Sequence, residues 1–159
     1  QVRRWIGISG PYDLVSLYPS LHKRGLRQGL VKKVAGGDLA AASPAWVLRH
    51  LRVAKRYDIL EQLPESHLFH GTHDKTVPFS QSETLAKEFH ACGRDVAATY
   101  YAGKSHTDPI LEDAINPEQD ELTRDLLKVV GVQSLVFHPG QRSCLPEWWL
   151  KFARLVNPF

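Results

Sequence analysis

Residues 68–78 constrain the fold of this chain more than any other stretch, because a strand, a polar loop and a helix start follow one another there. Apolar Leu68 and Phe69 lead into a loop that carries Asp74, and Val77 then opens a helical pattern. In open α/β sheets, catalytic and ligand-binding groups lie just past the carboxyl ends of the strands. This stretch therefore predicts an α/β fold with Asp74 at a functional edge of the sheet.

A second strand end with a polar loop follows downstream. Residues 96–101 have strand character, and the loop after them carries His106, which is 32 positions beyond Asp74. One helix and one strand separate the two residues, so both are expected at the same edge of adjacent parallel strands. An acid and then a histidine in this order form the Asp…His part of a hydrolase triad.

The chemistry of an Asp–His pair explains why this placement matters. A buried carboxylate holds the imidazole in one tautomer and stabilises the imidazolium that forms when histidine takes a proton. Taken singly, Asp74 also fits an acid near a helix N-terminus, and His106 fits an ordinary loop histidine. Their joint placement at two successive strand ends favours the catalytic interpretation.

The remaining periodicity predicts the architecture. Its order is strand, three helices, strand, helix, strand and further helix, which predicts an α/β fold of parallel strands flanked by helices in three αβα layers. Asp13 and Ser43 are predicted helix N-caps, Pro19 is expected to kink or restart the first helix, and residues 52–65 show no element. The predicted strands cover 3–9, 66–70 and 95–101. The first predicted helix starts with 14–17, and the others cover 27–34, 44–51, 79–91, 110–115 and 118–130.

The predicted domain organisation has two parts. Residues 1–131 form the α/β portion, and residues 132–159 form a C-terminal extension that ends in a helix carrying Trp148 and Trp149. This helix is predicted to dock on the domain, with an interfacial membrane element as the alternative. The chain starts in what reads as the middle of a strand, which predicts a fragment of a longer protein.

Composition excludes several function classes. The net charge of the 159 residues is +3 and the basic residues are scattered, so nucleic-acid binding is not predicted. No apolar run reaches the roughly 18 residues of a membrane span, and no targeting segment is present. Cys92 and Cys144 stand far apart and are predicted to be reduced thiols.

A histidine cluster near the Asp74 loop raises the question of a metal. His67, His70 and His73 lie close to Asp74, but no cysteine or second carboxylate joins them. Because side chains alternate along a strand, His67 and His70 are expected on opposite faces of the sheet. No metal site is therefore predicted.

The nucleophile of a complete triad is not evident. In this triad order the serine comes first, on a G-x-S-x-G elbow. The nearest approach is Ser9 in Gly7-Ile8-Ser9-Gly10-Pro11, where proline replaces the last glycine. Ser9 is therefore interpreted as an ordinary strand-end residue, and the nucleophile is expected upstream of this chain.

Several motifs resemble isoprenylcysteine α-carbonyl methylesterases, which are α/β-hydrolases. The resemblance runs almost from end to end, and its narrower signals are the His-x-Arg-Gly-Leu segment and the final Pro-Phe. The matching segments are Ile8–Leu14, Leu21–Leu26, Ser43-Pro44, His70–Pro78, Gly103–Asp108, and Leu145–Phe159.

The resemblance implies a C-terminal portion of an α/β-hydrolase in which Asp74 and His106 match the acid and base of a Ser–Asp–His triad. It implies hydrolysis of a prenylcysteine methyl ester without a cofactor, at endoplasmic reticulum and Golgi membranes, with membrane association through upstream segments. The oligomeric state stays open, and the chain alone is expected to be inactive. The alternatives are another carboxylesterase, an arylformamidase, or a non-catalytic remnant that acts as an interaction module.

Overall fold

The computed structural model describes residues 2–23, 28–115 and 121–132. Three strands within these ranges form one parallel sheet in the order β1-β2-β3. Parallel strands need helical crossovers, and helices occupy both connections. The strands are β1 (Arg4–Ile8), β2 (Glu65–Gly71) and β3 (Val96–Tyr101).

The helices largely follow the sequence prediction. One short helix, α4, was missed within the polar stretch 52–65, and α1 continues through Pro19 as one helix rather than restarting there. Pro19 is the sixth of the ten residues of α1 and has no backbone N–H, so the helix continues past it without one of its internal hydrogen bonds. The helices are α1 (Leu14–Lys23), α2 (Gln28–Val34), α3 (Pro44–Val53), α4 (Tyr57–Leu60), α5 (Ser80–Ala91), α6 (Asp108–Ile115) and α7 (Glu121–Val130).

The two predicted caps behave differently. Asp13 caps α1, because its Oδ1 accepts a hydrogen bond from the Ser16 backbone N–H at 3.1 Å. Ser43 does precede α3, but its hydroxyl does not cap that helix. It donates to the Leu39 carbonyl at 2.5 Å and accepts from the Leu14 N–H at 2.8 Å. Ser43 thus joins the start of α1 to the start of α3.

Apolar side chains pack on both faces of the sheet, which confirms the three layers. Leu68 of β2 points to the face covered by α3 and α5, whereas Phe69 points to the face covered by α7. The alternation of strand side chains explains this division. The first cluster comprises Tyr12, Ala45, Leu48, Leu60, Leu68, Leu85, Ala86 and Phe89, and the second Phe69, Tyr101 and Leu122.

Part of the sequence prediction concerns residues beyond these ranges. The C-terminal extension 132–159 falls outside the described residues from residue 133 onward, and so does the predicted helix with Trp148 and Trp149. Across the described ranges, no helix is both long enough and apolar enough to span a bilayer.

Candidate active site

The loops after β2 and β3 are joined by backbone hydrogen bonds. The Thr72 N–H donates to the Tyr101 carbonyl at 2.9 Å, and the His73 N–H donates to the Lys104 carbonyl at 3.0 Å. In the other direction, the Gly103 N–H donates to the Thr72 hydroxyl at 2.9 Å. These bonds continue the parallel pairing of the strands past the sheet edge and hold the two loops in a fixed relation.

A glycine permits this close approach. Gly71, the last residue of β2, is buried, and a Cβ built on it would overlap the Lys104 carbonyl oxygen. The same Cβ would lie 2.8 Å from the Ser105 carbonyl oxygen, well inside van der Waals contact. Only a residue without a side chain lets the second loop lie directly against the first.

The structure brings the predicted pair together. His106 Nδ1 lies 2.7 Å from Asp74 Oδ2, a short distance typical of a charge-assisted hydrogen bond. The Asp74 side chain is fully buried, whereas 30% of the His106 side chain is exposed. The imidazole therefore has one nitrogen fixed by a buried carboxylate and one edge within reach of solvent.

The Asp74 carboxylate is held on both oxygens. Its Oδ1 accepts hydrogen bonds from the backbone N–H groups of Thr76 and Val77, at 2.9 and 2.8 Å. Its Oδ2 has a second partner besides His106, because His70 Nε2 lies 3.1 Å away. These bonds account for all four acceptor positions of the carboxylate.

The pKa of Asp74 reflects two opposing effects. Burial, the largest single contribution, raises the pKa, because it penalises the charged form. The hydrogen bonds from His70, His106 and the Val77 backbone act in the opposite direction, and together they hold the pKa below its usual value. Asp74 is thus ionised across the physiological pH range.

The sequence had placed His70 only in a histidine cluster, and the structure gives it a defined environment. Its side chain is fully buried, with Nδ1 2.7 Å from the Ser82 hydroxyl and Nε2 2.8 Å from the Val77 carbonyl. A signal was present in the sequence, since His70 shares the buried face of β2 with Leu68 at a spacing of two residues. Its partner Ser82, on α5, had no such signal.

The other histidines of that cluster point elsewhere. His67 lies 3.0 Å from the Glu65 carboxylate near the opposite end of β2, and His73 is exposed. Over the described ranges, no group of three or more His, Cys, Asp or Glu side chains is arranged to hold a metal ion.

Ser9 directly follows β1 and has an unusual backbone conformation. Its φ of +46° lies in the left-handed region, and its N–H donates to the Phe69 carbonyl at 2.9 Å. Its buried hydroxyl has no hydrogen-bond partner among the residues that the structure describes. The structure therefore does not pair Ser9 with His106.

An apolar cavity of about 400 Å³ lies away from this pair. Trp5 and Ser66, near the amino ends of β1 and β2, line it together with residues of α3 and α5. Five residues of strand separate Ser66 from Gly71, or roughly 16 Å at the usual rise. The cavity thus lies toward the amino ends of the strands, whereas Asp74 and His106 follow their carboxyl ends. Its remaining walls are Ala41, Ala42, Pro44, Val47, Leu48, Leu51, Leu63, Pro64, Leu85 and Phe89.

Comparison with known sequences gives a consistent set of relatives, although no family model matches the chain. The chain is 31% identical to isoprenylcysteine alpha-carbonyl methylesterase of Arabidopsis thaliana over 167 residues, which cover all of the chain and 38% of that protein. It is also 31% identical to a probable isoprenylcysteine alpha-carbonyl methylesterase of Oryza sativa subsp. japonica, covering all of the chain and 39% of that protein. The chain thus spans less than half of the length of these curated relatives.

Solved structures of similar fold are esterases. Esterase 2 of Thermogutta terrifontis in its propionate-bound form superposes with a TM-score of 0.53 at 22% identity, over 83% of this chain and 44% of the esterase. Its apo form gives a TM-score of 0.55 at 21% identity, over 85% and 45% of the two chains. The fold is accordingly that of part of an α/β-hydrolase, as the motifs indicated. Over its whole length, the chain is similar to the isoprenylcysteine alpha-carbonyl methylesterases, and it covers 38% and 39% of the length of the two relatives named above.

Proposed function

We propose that this chain is part of a carboxylic-ester hydrolase that cleaves the methyl ester of a prenylcysteine. One observation carries the proposal. A buried carboxylate, Asp74, lies 2.7 Å from Nδ1 of a partly exposed histidine, His106, at the ends of adjacent parallel strands. The similarity to methylesterases over the whole chain supports the same reaction class.

In this proposal Asp74 is the orienting acid and His106 the general base. The hydrogen bond to Asp74 fixes the tautomer that carries a proton on Nδ1, which leaves Nε2 to accept the proton of a serine hydroxyl. The serine attacks the ester carbonyl, and His106 passes the proton to the departing methoxide, which leaves as methanol. Water activated by His106 then hydrolyses the acyl-enzyme to release the free carboxylate.

In this proposal the nucleophile is a serine of a longer protein that includes these 159 residues. The sequence contains no G-x-S-x-G elbow. Ser9, its nearest approach, has a buried hydroxyl that is not bonded to His106. The 159 residues alone are therefore expected to be inactive, and activity is expected of a longer protein that includes them.

The resemblance extends the proposal to the cellular site. We propose that the longer protein acts at endoplasmic reticulum and Golgi membranes, where a prenylated substrate is concentrated in the bilayer. Segments outside this chain would provide the association. Fractionation of cells that express the tagged longer protein tests the assignment, and recovery with soluble proteins alone would contradict it.

The test of function is hydrolysis of farnesylcysteine methyl ester by the longer protein, followed by methanol release. His106→Ala removes the general base and is expected to lower kcat by about 10³-fold or more. His73→Ala is the matched control, because His73 is exposed in the neighbouring loop. This control is expected to keep wild-type activity within about twofold.

The substrate profile separates the alternatives. Preference for p-nitrophenyl esters or aryl formamides over the prenylcysteine ester would indicate another carboxylesterase or an arylformamidase. Unchanged turnover in His106→Ala would contradict the assigned base. Absence of turnover on every ester, in a longer protein that folds cooperatively, would favour the non-catalytic interaction module.

A further inference from the structure

We propose that His70 is a positioning residue, which fixes the Asp74 carboxylate and through it the orientation of His106. The inference rests on the proposed function and deepens it, since it adds a second histidine to the acid–base pair. His70 contacts neither the substrate nor the reacting atoms in this assignment. Its role is exerted entirely through the carboxylate that it shares with His106.

The surroundings of His70 determine its tautomer. Nε2 lies 3.1 Å from Asp74 Oδ2 and 2.8 Å from the Val77 carbonyl oxygen, and both of these atoms are acceptors. Nε2 must therefore carry a proton. Nδ1 lies 2.7 Å from the Ser82 hydroxyl, which is able to donate to it. The Ser82 hydroxyl thus satisfies the second nitrogen of this imidazole in a fully buried site.

The position of the proton on Nε2 matters for His106. Oδ2 of Asp74 receives one hydrogen bond from each imidazole, at 2.7 Å from His106 and 3.1 Å from His70. With Oδ1 held by two backbone N–H groups, the donor on His70 removes the remaining freedom of the carboxylate to rotate. Supporting hydrogen bonds of this kind keep a catalytic group in its productive geometry.

This arrangement also links the carboxylate to a helix. Ser82 lies on α5 and is fully buried, and α5 packs on the same face of the sheet as His70. The chain of contacts therefore runs from α5 through Ser82 and His70 to Asp74. If His70 served packing alone, loss of its hydrogen bond to the Asp74 carboxylate would not affect His106. The proposal is therefore tested by removing that hydrogen bond while keeping the side chain buried.

Two substitutions at His70 separate the two nitrogens. In His70→Gln the side-chain amide reaches the place of Nε2, so a donor to Asp74 is kept. In His70→Asn the shorter amide reaches only the place of Nδ1, so the contact with Ser82 is kept and the donor to Asp74 is lost. In the longer protein, we expect His70→Asn to lower kcat about tenfold with KM unchanged, as removal of one hydrogen bond predicts. We expect His70→Gln to recover most of that loss.

A spectroscopic readout makes the test independent of turnover. The proton that His106 Nδ1 shares with Asp74 gives a low-field ¹H NMR resonance. We expect this resonance to broaden or shift in His70→Asn and to persist in His70→Gln. Ser82→Ala offers a second route, because it frees His70 Nδ1 without altering His70, and we expect an intermediate change in both kcat and the resonance.

The outcomes distinguish this inference from the proposed function. If the wild type hydrolyses no ester, the proposed function fails, whereas the NMR comparison still decides whether His70 positions Asp74. If His106→Ala is inactive but His70→Asn keeps wild-type kcat and resonance, the positioning role is wrong. Equal losses in the Asn and Gln variants would also overturn it, since they would indicate packing rather than the donor. Should His70→Asn fail to fold, Ser82→Ala tests the same contacts from the other nitrogen, and wild-type kcat and resonance in that variant would overturn the positioning role.

Discussion

At the scale of single residues, one buried carboxylate accepts four hydrogen bonds. Asp74 is 5% exposed, and its oxygens accept from two backbone N–H groups and two imidazoles. Burial alone would disfavour the charge, but the hydrogen bonds outweigh this effect and lower the Asp74 pKa. The same bonds that orient the acid therefore keep it ionised.

This lowered pKa predicts a pH dependence of stability. Because the folded-state pKa lies below the unfolded value near 3.8, ionised Asp74 stabilises the fold above that pH. The stabilisation is lost as the pH falls below about 4 and passes through the folded-state pKa. In the longer protein, we expect Asp74→Asn to flatten the acid side of the stability curve, measured by denaturant unfolding at a series of pH values. Asp95→Asn, at an exposed position, is the control, and an unchanged acid slope in Asp74→Asn would contradict this prediction.

At the scale of elements, the geometry of the candidate site depends on how closely the ends of β2 and β3 approach each other. Each loop by itself is an ordinary connection between a strand and a helix. Backbone hydrogen bonds between the loops and the absence of a side chain at Gly71 set their separation. The distance between Asp74 and His106 is therefore a property of two elements together.

The Gly71→Ala substitution tests this dependence. The added methyl group meets the Lys104 carbonyl, which belongs to the backbone and has no rotamer with which to move aside. We expect the His106 loop to shift and kcat of the longer protein to fall about 10²-fold, as a displacement of about 1 Å predicts.

Gly29→Ala on α2 is the matched control for Gly71→Ala, because nothing lies within 4 Å of its added Cβ. It is expected to leave kcat unchanged and to stabilise the helix slightly. Wild-type activity in Gly71→Ala would show that the loops tolerate a wider separation than the structure indicates.

At the scale of the whole molecule, the described sheet has an open side. β1 is an edge strand of the sheet, and its residue Trp5 lines an apolar cavity between the sheet, α3 and α5. An unpaired strand edge beside apolar surface favours association with other chains. The chain matches only 38% of the length of a methylesterase relative, so further structure is expected to cover this side.

We therefore predict that the 159-residue chain, produced alone, is poorly soluble or only partly folded. Differential scanning calorimetry and analytical ultracentrifugation of the isolated chain, beside the longer protein, test this expectation. The longer protein is expected to unfold in a cooperative transition and the isolated chain to show a broad one or to aggregate. A sharp transition of a soluble, monomeric isolated chain would show that three strands and their helices suffice.

Sequence patterns alone determined the order of the elements and the meeting of Asp74 with His106. Both follow from chain connectivity, because right-handed crossovers between parallel strands return successive strand ends to one edge of the sheet. They also carried the resemblance to methylesterases. Sequence patterns did not predict the short helix α4 or the continuity of α1 through Pro19. In short segments, packing overrides a weak local signal.

Only the tertiary structure showed which side chains and backbone groups contact the residues around Asp74 and His106. Ser82 reaches His70 only because α5 packs on one particular face of β2, and the Ser43 hydroxyl serves α1 rather than its own helix for a similar reason. The need for glycine at position 71 arises from the backbone of a loop more than thirty residues away. Periodicity reports which face of an element is apolar, but hydrogen bonds depend on the relative positions of elements to within a few tenths of an ångström. That positional information exists only once the elements have packed together.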